Sequence, residues 1–388
     1  MIKSIKVMLL PNNKQNTKMF QYSNTARFAY NWAIAREQEN YKTGGKFITD
    51  NDLRKEFTQL KKQEEYQWLN EVSNNVTKQA IKEACNAYKR FFNKQSRFPK
   101  FKSRKKTRPS FYMDTSKIQF TETHVKLEKI SESTKKNKVK LNWIKLAEKN
   151  KIPTDCKYMN PRVTFDGLNW WISVGIEYDN STVIPMNDGI GIDLGVKDLA
   201  ICSDGHTYKN INKTNKVKKM EKKRRRLQRQ VSRKYQNNKE GSSYKKTSNI
   251  KKLEKKLLKT NRRLTNIRKN YLHQTTTEII NREPMFIVME SLNVQGMMKN
   301  RHLSKAVQQQ SLFEFKRQIE YKCLWNNIRF VQADKWYPSS KTCSECGSIK
   351  KNLKLSDREY ACAECGCVID RDFNASINLM RLGLQSVV

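Results

Sequence analysis

Four cysteines in this sequence are spaced as the ligands of one metal ion. They form two Cys-x2-Cys pairs with 15 residues between the pairs: Cys343 and Cys346, then Cys362 and Cys365. This spacing is typical of structural zinc sites, in which four thiolates surround Zn²⁺ and fold a loop too polar to fold by itself. Gly347 and Gly366 suit the tight turns after each pair. We expect one structural zinc ion, with Cys367 as a surplus thiol that could compete with Cys365.

Three acidic residues adjoin predicted strands or a predicted helix. Asp193 lies within an apolar strand, Glu290 directly follows another, and Asp372 opens a helix seven residues after Cys365. Carboxylates bind hard divalent cations, and two such cations about 4 Å apart activate water and stabilise the leaving oxygen in phosphodiester hydrolysis. If the two strands are parallel neighbours, their acids meet at one edge, where the helix could add Asp372. The pattern predicts metal-dependent cleavage of nucleic acid.

The third acid has a competitor. Asp370 stands two residues before Asp372, and either could serve as a ligand; we favour Asp372 because Asn374 follows it in an Asp-x-Asn step. Asp372 by itself could also be a helix N-cap. Asp198 and Asp204 fall in predicted turns, where we expect structural roles.

The charge of the chain indicates a polyanionic partner. Its 78 Lys and Arg against 37 Asp and Glu give a net charge of +41, far more than solubility requires. Residues 211–270 alone hold 24 basic and three acidic residues. No stretch approaches the ~20 apolar residues of a spanning helix, and residues 1–6 lack the apolar core of a signal peptide. We therefore expect a cytoplasmic protein that binds nucleic acid, with cysteines as thiols and metal ligands rather than disulfides.

Hydrophobic periodicity divides the chain into strand-rich and helical parts. Alternation predicts a strand over residues 2–11 and antiparallel strands over 111–180, including a hairpin around residues 166–169. Between them, residues 23–94 show helical spacing and predict two to four helices. This order predicts a small antiparallel barrel interrupted by a helical insert.

The second half shows the pattern of a ribonuclease-H-like domain. A three-strand meander is predicted over residues 190–208, and two long basic helices follow with a break at 239–243. A buried strand at 286–289, a helix at 306–325 and a strand at 328–331 complete the pattern.

Two basic stretches are candidates for contact with phosphates. Residues 97–110 interleave aromatic and basic side chains, which favours an extended strand along a nucleic-acid backbone, although a basic linker would have the same composition. The candidate contacts in this stretch and in the basic helices are Lys100, Lys102, Arg104, Arg224, Arg225 and Arg226.

Three stretches resemble the split motifs of a RuvC-type nuclease: residues 191–195 (Gly-Ile-Asp-Leu-Gly), 289–294 (Met-Glu-Ser-Leu-Asn-Val) and 370–375 (Asp-Arg-Asp-Phe-Asn-Ala). Residues 338–347 resemble the zinc ribbon inserted before the third motif. In this order and length the chain resembles the TnpB family. Its members are insertion-sequence proteins long described as OrfB-type transposases and understood as RNA-guided DNA nucleases ancestral to type V CRISPR effectors.

The resemblance implies a multidomain α+β fold. A wedge-like antiparallel β-barrel would comprise residues 1–13 and 97–182, and a helical recognition lobe residues 14–96. A RuvC-like α/β nuclease domain would comprise 186–335 and 368–388, with a zinc ribbon inserted at 336–367.

The resemblance also implies the site and its partners. Asp193, Glu290 and Asp372 would be the catalytic residues and would hold two Mg²⁺ or Mn²⁺ ions. The partners would be a guide RNA derived from the transposon end and a double-stranded DNA target beside a short motif. The protein would act as a monomer in a bacterial or archaeal cytoplasm. The helix start carrying Asn74, Asn75 and Lys78 is our candidate for contact with the motif, because Asn pairs bidentately with adenine; an ordinary N-terminal cap is the alternative.

Three other functions fit a similar architecture. A nuclease-idle, guide-directed repressor would be expected to lack one of the acids, and all three are present. A compact type V CRISPR effector would differ only in the origin of its guide. A transposase that joins strands itself would need features that the sequence does not display.

Overall fold

The computed structural model describes residues 2–130, 141–178, 185, 187–354 and 357–387. The chain forms two compact units that divide between residues 179 and 180. Residues 179–184 and 186, before the predicted three-strand meander, lie outside the described residues, as do residues 131–140 within the predicted barrel. Among the described helices, none is both long and apolar enough to cross a lipid bilayer.

The first unit combines a sheet with a helical insert. The sheet is antiparallel throughout, with the strand order β2-β6-β7-β1-β5-β4-β3. Its strands are β1 (Ile2–Leu10), β2 (Ser110–Tyr112), β3 (Gln119–Phe120), β4 (His124–Lys126), β5 (Trp143–Leu146), β6 (Tyr158–Phe165) and β7 (Trp170–Glu177). The helices between β1 and β2 are α1 (Asn13–Lys42), α2 (Asp50–Leu60), a 3₁₀ helix (Glu64–Glu71) and α3 (Asn74–Phe92).

Two expectations for this unit are wrong in detail. The first helix begins at Asn13 rather than near residue 23, because Asn12 and Gln15 form a capping box: the Asn12 side chain accepts from the Gln15 amide and the Gln15 side chain accepts from the Asn12 amide. Residues 97–109 form no strand; they are irregular, with a turn at 104–106. The paired strands β6 and β7 occur where the hairpin around residues 166–169 was predicted, and β3 pairs with β4 in the same antiparallel way.

The second unit is built on a mixed sheet with the strand order β10-β9-β8-β13-β14. The strands of this unit, including two short ladders outside that sheet, are β8 (Ile190–Leu194), β9 (Asp198–Cys202), β10 (Thr207–Lys209), β11 (Lys239–Glu240), β12 (Ser243–Tyr244), β13 (Phe286–Met289), β14 (Arg329–Gln332), β15 (Glu359–Ala361) and β16 (Val368–Asp370). Its α-helices are α4 (Asn215–Gln236), α5 (Ser248–Ile280), α6 (Val294–Lys299), α7 (Ser304–Gln310), α8 (Leu312–Trp325) and α9 (Arg371–Val387). Strands β8, β13 and β14 are parallel, and β8 and β13 are direct neighbours, as the argument for a shared acidic edge requires.

The helix predicted over 306–325 is interrupted. Ser311 has a left-handed backbone (φ +58°) and separates α7 from α8. The buried Gln310 side chain donates to the carbonyl oxygens of Gly195 and Asp198 at 3.2 and 3.4 Å. This contact holds the end of α7 against the turn between β8 and β9, and the periodicity of the sequence does not reveal it.

Alternation along β8 and β13 gives the sheet two different faces. Ile287 and Met289 belong to a core shared with α5, α7 and α8, whereas Phe286 and Val288 pack in a separate cluster with Leu379 of α9. Side chains of a strand alternate between faces. Helix α9 therefore covers one face of the sheet, and the larger helical layer covers the other.

Candidate active site and metal centre

Asp193 and Glu290 lie side by side on the face of the sheet that α9 covers. The parallel register pairs Met289 with Ile192, so that the next pair along the two strands is Glu290 and Asp193. Glu290 has the same parity as Val288, and Asp193 the same parity as Gly191, which also faces α9. Strands β8 and β13 are thus parallel neighbours, which is the condition under which the sequence predicts that these two acids share an edge.

Gly191 permits α9 to bring Asp372 to the same edge. A Cβ at Gly191 would overlap the carbonyl oxygen of Ser376 and the amide nitrogen of Met380. The helix backbone therefore lies directly on β8 at this glycine. Asp372 is one turn before Ser376 on the same helix face, and Asp193 is two residues beyond Gly191 on the same strand face. The helix runs opposite to the strand, so its first turn lies over the carboxyl end of β8.

The electrostatics of Asp193 reflect this crowding. Burial, followed by the charges of Glu290 and Asp372, raises the pKa of Asp193 well above its usual range. Arg371 opposes this effect, and its guanidinium donates to Asp372 Oδ1 at 3.0 and 3.2 Å. Several hard oxygen donors whose charges repel one another are the donor set that divalent cations bind. The residues present thus fit a magnesium or manganese site.

The structure separates Asp370 from Asp372. Asp370 Oδ1 accepts from the backbone N–H groups of Asp372 and Phe373, both at 3.0 Å, which is the geometry of a helix N-cap. Its side chain is exposed, whereas the Asp372 side chain is only 19% exposed. Asp370 therefore caps the helix, and of the two aspartates Asp372 has the larger effect on the pKa of Asp193.

The four predicted zinc ligands converge. The sulfur atoms of Cys343, Cys346, Cys362 and Cys365 all lie within 4.8 Å of one another. Sγ of Cys343 is 3.7 Å from Sγ of Cys365, and Sγ of Cys346 is 3.6 Å from Sγ of Cys362. Four sulfurs arranged tetrahedrally at the Zn–S distance of ~2.3 Å would be about 3.8 Å apart. The group therefore fits Zn²⁺.

Two turns of the same form present these sulfurs. In each turn the backbone carbonyl of the first cysteine accepts a hydrogen bond from the amide of the glycine four residues later, Gly347 or Gly366. Both glycines have positive φ. Each first cysteine also donates its amide to the residue five positions on, which is Ser348 in one turn and Cys367 in the other. Cys367 thus contributes its backbone to the turn, and its sulfur is not part of the four-cysteine group.

The three candidate arginines of helix α4 differ in whether they have partners within the protein. Arg225 and Arg226 are exposed on α4. Arg224 instead donates to Glu221 at 2.9 Å, and Glu221 also accepts from Arg268 of α5. Arg224 therefore helps to pair the two helices, while its neighbours are available to a phosphate.

The candidate phosphate contacts that follow α3 also include both exposed side chains and one with partners inside the protein. Lys100 and Arg104 are exposed. Lys102 lies 3.6 Å above the centre of the Tyr30 ring and 3.5 Å from Glu83, and its backbone exchanges two hydrogen bonds with Asn31. Burial lowers the pKa of Lys102. Its contacts indicate that it fastens the chain to α1.

At the start of α3 the N-cap is Ser73, whose hydroxyl accepts from the Asn75 amide. The Asn75 side chain donates to Glu128 at 3.3 Å, and Asn74 accepts from Lys61 at 2.7 Å. Lys78 is exposed. Both asparagines thus have intramolecular partners, and their contact with DNA stays a prediction.

Sequence reasoning missed two residues that support the acids. Ser339 donates its hydroxyl to Glu290 Oε1 at 2.6 Å, and no local pattern marks this serine. Arg371 lies between the two aspartates of the third motif, where its spacing offered a signal that we did not use.

Comparison with known proteins gives a consistent assignment. Three family profiles match separate parts of the chain: "Helix-turn-helix domain" over residues 1–46, "Probable transposase" over 173–301 and "Cas12f1-like, TNB domain" over 313–379. A "Putative RNA-guided DNA endonuclease" of Streptomyces pristinaespiralis is 30% identical over 388 residues, covering 99% of this chain and 90% of the relative. "Putative RNA-guided DNA endonuclease InsQ" of Escherichia coli K12 is 29% identical, covering 98% of this chain and 92% of the relative.

A solved structure shares the fold. The chain in "Cryo-EM structure of the Cas12f1-sgRNA-target DNA complex" superimposes with a TM-score of 0.61, with 98% of each chain covered and 13% sequence identity. At that identity the match shows a common multidomain α+β fold.

Proposed function

This chain belongs to the TnpB family of insertion-sequence RNA-guided DNA endonucleases, and we propose that it cuts DNA at Asp193, Glu290 and Asp372. The match to a relative along nearly the whole chain confirms the family that the motifs predicted. The observation that supports this proposal is the parallel register that puts Asp193 next to Glu290, together with the effect of the Asp372 charge on the pKa of Asp193.

The donor set supports hydrolysis with two hard cations. When bound, two Mg²⁺ or Mn²⁺ ions supply an activated water and stabilise the leaving oxygen. Asp193, Glu290 and Asp372 would hold these ions through their carboxylate oxygens. Arg371 orients Asp372 through its two hydrogen bonds, and the N-terminus of α9 adds positive potential for a phosphate at this edge.

The four cysteines would hold one structural zinc ion. Such an ion would add its binding free energy to the folding of this segment, whose own apolar cluster around Tyr360 is small. Metal analysis of the purified protein should give one zinc per chain, and the Cys343→Ser substitution should lower its thermal stability. A preparation without zinc would contradict the assignment.

A guide RNA and its DNA target account for the charge of the chain. The heteroduplex of a guided nuclease is recognised through its backbone and shape, which requires exposed cations rather than base-reading side chains. We assign this role to the exposed Arg225, Arg226, Lys100 and Arg104, with Lys78 near the motif-reading surface. The guide would derive from the transposon end, and the target would be double-stranded DNA beside a short motif.

The finer parts of the fold follow the family. The seven-stranded antiparallel sheet would close as the wedge barrel, α1–α3 would form the recognition lobe, and the mixed sheet with α9 would be the RuvC-like domain. A nuclease-idle repressor is disfavoured because the three acids are present. The monomeric state and the cytoplasmic location stay predictions.

The test uses the full chain purified with its co-expressed RNA. Asp193→Ala, Glu290→Ala and Asp372→Ala should each abolish cleavage of a matching DNA while RNA-dependent DNA binding persists. Asp198→Asn is a suitable control, because Asp198 begins the neighbouring strand and pairs with Lys209. Full cleavage by the Asp193→Ala protein would refute the site, and cleavage without RNA would refute guidance.

A further inference from the structure

The segment that leads into the first cysteine pair touches the candidate active site. Ser339, only 3% exposed, donates its hydroxyl to Glu290 Oε1 at 2.6 Å. A hydrogen bond between a hydroxyl and a carboxylate at this distance is short and charge-assisted. It fixes one oxygen of Glu290 and leaves the other available to a cation.

Ser339 is in turn held by α9. The Asn378 side chain donates to the carbonyl oxygens of Ser339 and Thr342 at 2.8 and 2.7 Å, and Asn378 is buried. Tyr337 donates its hydroxyl to the carbonyl oxygen of Asn378 at 3.1 Å. Residues 337–342 are therefore bonded to the helix on both sides of Ser339.

The same helix face grips the cysteine turn itself. The fully buried Asn374 donates to the Thr342 carbonyl at 2.7 Å and accepts from the Ser344 amide at 2.8 Å. Arg381 donates to the Ser344 carbonyl. Asn374, Asn378 and Arg381 follow the i, i+4, i+7 spacing of one helical stripe. The stripe joins the zinc ligand Cys343, through its neighbours Thr342 and Ser344, to the helix that carries Asp372.

We infer that Ser339 is a positioning residue for Glu290, and that the zinc-bound turn and α9 hold it in place. Outer partners of metal-ligating carboxylates fix their orientation, and their loss typically weakens metal binding ~10–100-fold. The cysteine centre would thus act on catalysis through the chain from Cys343 to Thr342 and then through hydrogen bonds: Asn378 joins the Thr342 and Ser339 carbonyls, and the Ser339 hydroxyl donates to Glu290. This inference rests on the proposed function.

A structural role alone would also bury Ser339, so the test must isolate the hydroxyl. Thr and Val have the same shape and differ only in the hydroxyl group. The Ser339→Thr protein keeps the donor, and the Ser339→Val protein loses it while filling the same space. Ser339→Ala adds a variant without extra bulk, and Ser340→Ala removes a neighbouring hydroxyl that lies off this path.

The experiment measures Mn²⁺ binding by calorimetry and the Mg²⁺ concentration that gives half-maximal cleavage, using the full chain with its RNA. We expect the dissociation constant for Mn²⁺ and the half-maximal Mg²⁺ concentration each to rise about 10–100-fold in Ser339→Ala and Ser339→Val. Both should stay within about threefold of wild type in Ser339→Thr and Ser340→Ala. Wild-type Mn²⁺ affinity in the Val protein, or equal losses in Thr and Val, would overturn the inference.

An Asp193→Ala arm separates the two levels of the argument. If that variant still cuts DNA, the proposed active site fails and the inference fails with it. If Asp193→Ala is inactive while Ser339→Val binds Mn²⁺ as wild type does, only the inference fails.

Discussion

The two aspartates of the third motif should respond in opposite ways to substitution. Asp370 caps α9 through two backbone amides, whereas the charge of Asp372 raises the pKa of Asp193. Asp370→Ala leaves both amides without their acceptor, and loss of such a cap costs ~1 kcal/mol, within a range of roughly 0.5–2. For a unit of about 200 residues this corresponds to a fall in melting temperature of roughly 2–4 °C. Asp370→Asn should restore stability, because Asn caps as well as Asp does.

Asp372→Asn should have the converse effect. The amide preserves the size of the side chain but removes a charge that a hard cation needs. Cleavage should fall by more than about 100-fold, beyond the loss expected for an outer partner. The melting temperature without divalent ions should stay near that of wild type, because less repulsion from Asp193 offsets the weaker contact with Arg371.

The assays are thermal unfolding in a chelating buffer and single-turnover cleavage at 25 °C with the co-expressed RNA. At that temperature Asp370→Ala should retain most of its cleavage. If Asp370→Ala loses cleavage and Asp372→Asn keeps it, the assignment of cap and ligand is reversed, and the geometric argument from Gly191 is refuted.

Three further predictions follow from contacts described above or from burial. Burial raises the pKa of Glu37 from 4.5 to about 6; the folded state then holds a proton that the unfolded state loses, so stability falls as pH rises from about 4.5 to 6. Glu37→Gln should therefore leave unfolding free energy unchanged near pH 4 and raise it by about 1–2 kcal/mol at pH 7, measured by urea titration. Gly191→Ala should displace α9, abolish cleavage and lower the melting temperature, because the added Cβ meets helix backbone. Replacing both Arg225 and Arg226 with Gln should weaken the salt dependence of RNA binding. The negative slope of log affinity against log salt should become less steep by about 1–2, measured by filter binding.

Each of these has a control and a contradicting outcome. A pH-independent difference for Glu37→Gln would show that the proton is not the cause. Gly195→Ala is the comparison for Gly191, because its Cβ would lie 3.1 Å from one carbonyl oxygen and requires only a small shift; equal losses would refute the role of close packing. Arg224→Gln should lower the melting temperature through its ion pair with Glu221, and an unchanged salt slope in the double variant would remove α4 from the nucleic-acid surface.

The features that sequence reasoning predicted are those set by local pattern. Alternation along residues 190–194 and the short apolar run at 286–289 identify two strands, and Asp193 and Glu290 share an edge if these strands are parallel neighbours. Cysteine spacing identifies the zinc ligands in the same way. The cysteine spacing is local information, whereas the meeting of the two acids also depends on the pairing of β8 with β13, which the structure supplies.

What the sequence did not reveal depends on contacts between distant residues. The break at Ser311 follows from Gln310 reaching the turn after β8, and the role of Ser339 follows from Glu290, 49 positions earlier. Lys102 looked like a phosphate contact because its neighbours are basic, yet Glu83 and Tyr30 engage its charge. The type of a side chain indicates which ligands it can bind. Only the packed structure shows whether another residue of the protein already occupies that side chain.

Helix α9 carries Asp372 and also covers Phe286 and Val288. A truncation that removes the helix to stop cleavage would therefore also disrupt folding. A chain interrupted before residue 371 would present bare apolar surface and aggregate instead of persisting as a catalytically dead binder. Relatives that have lost cleavage but still bind DNA should therefore carry substitutions of the acidic residues and retain the final helix.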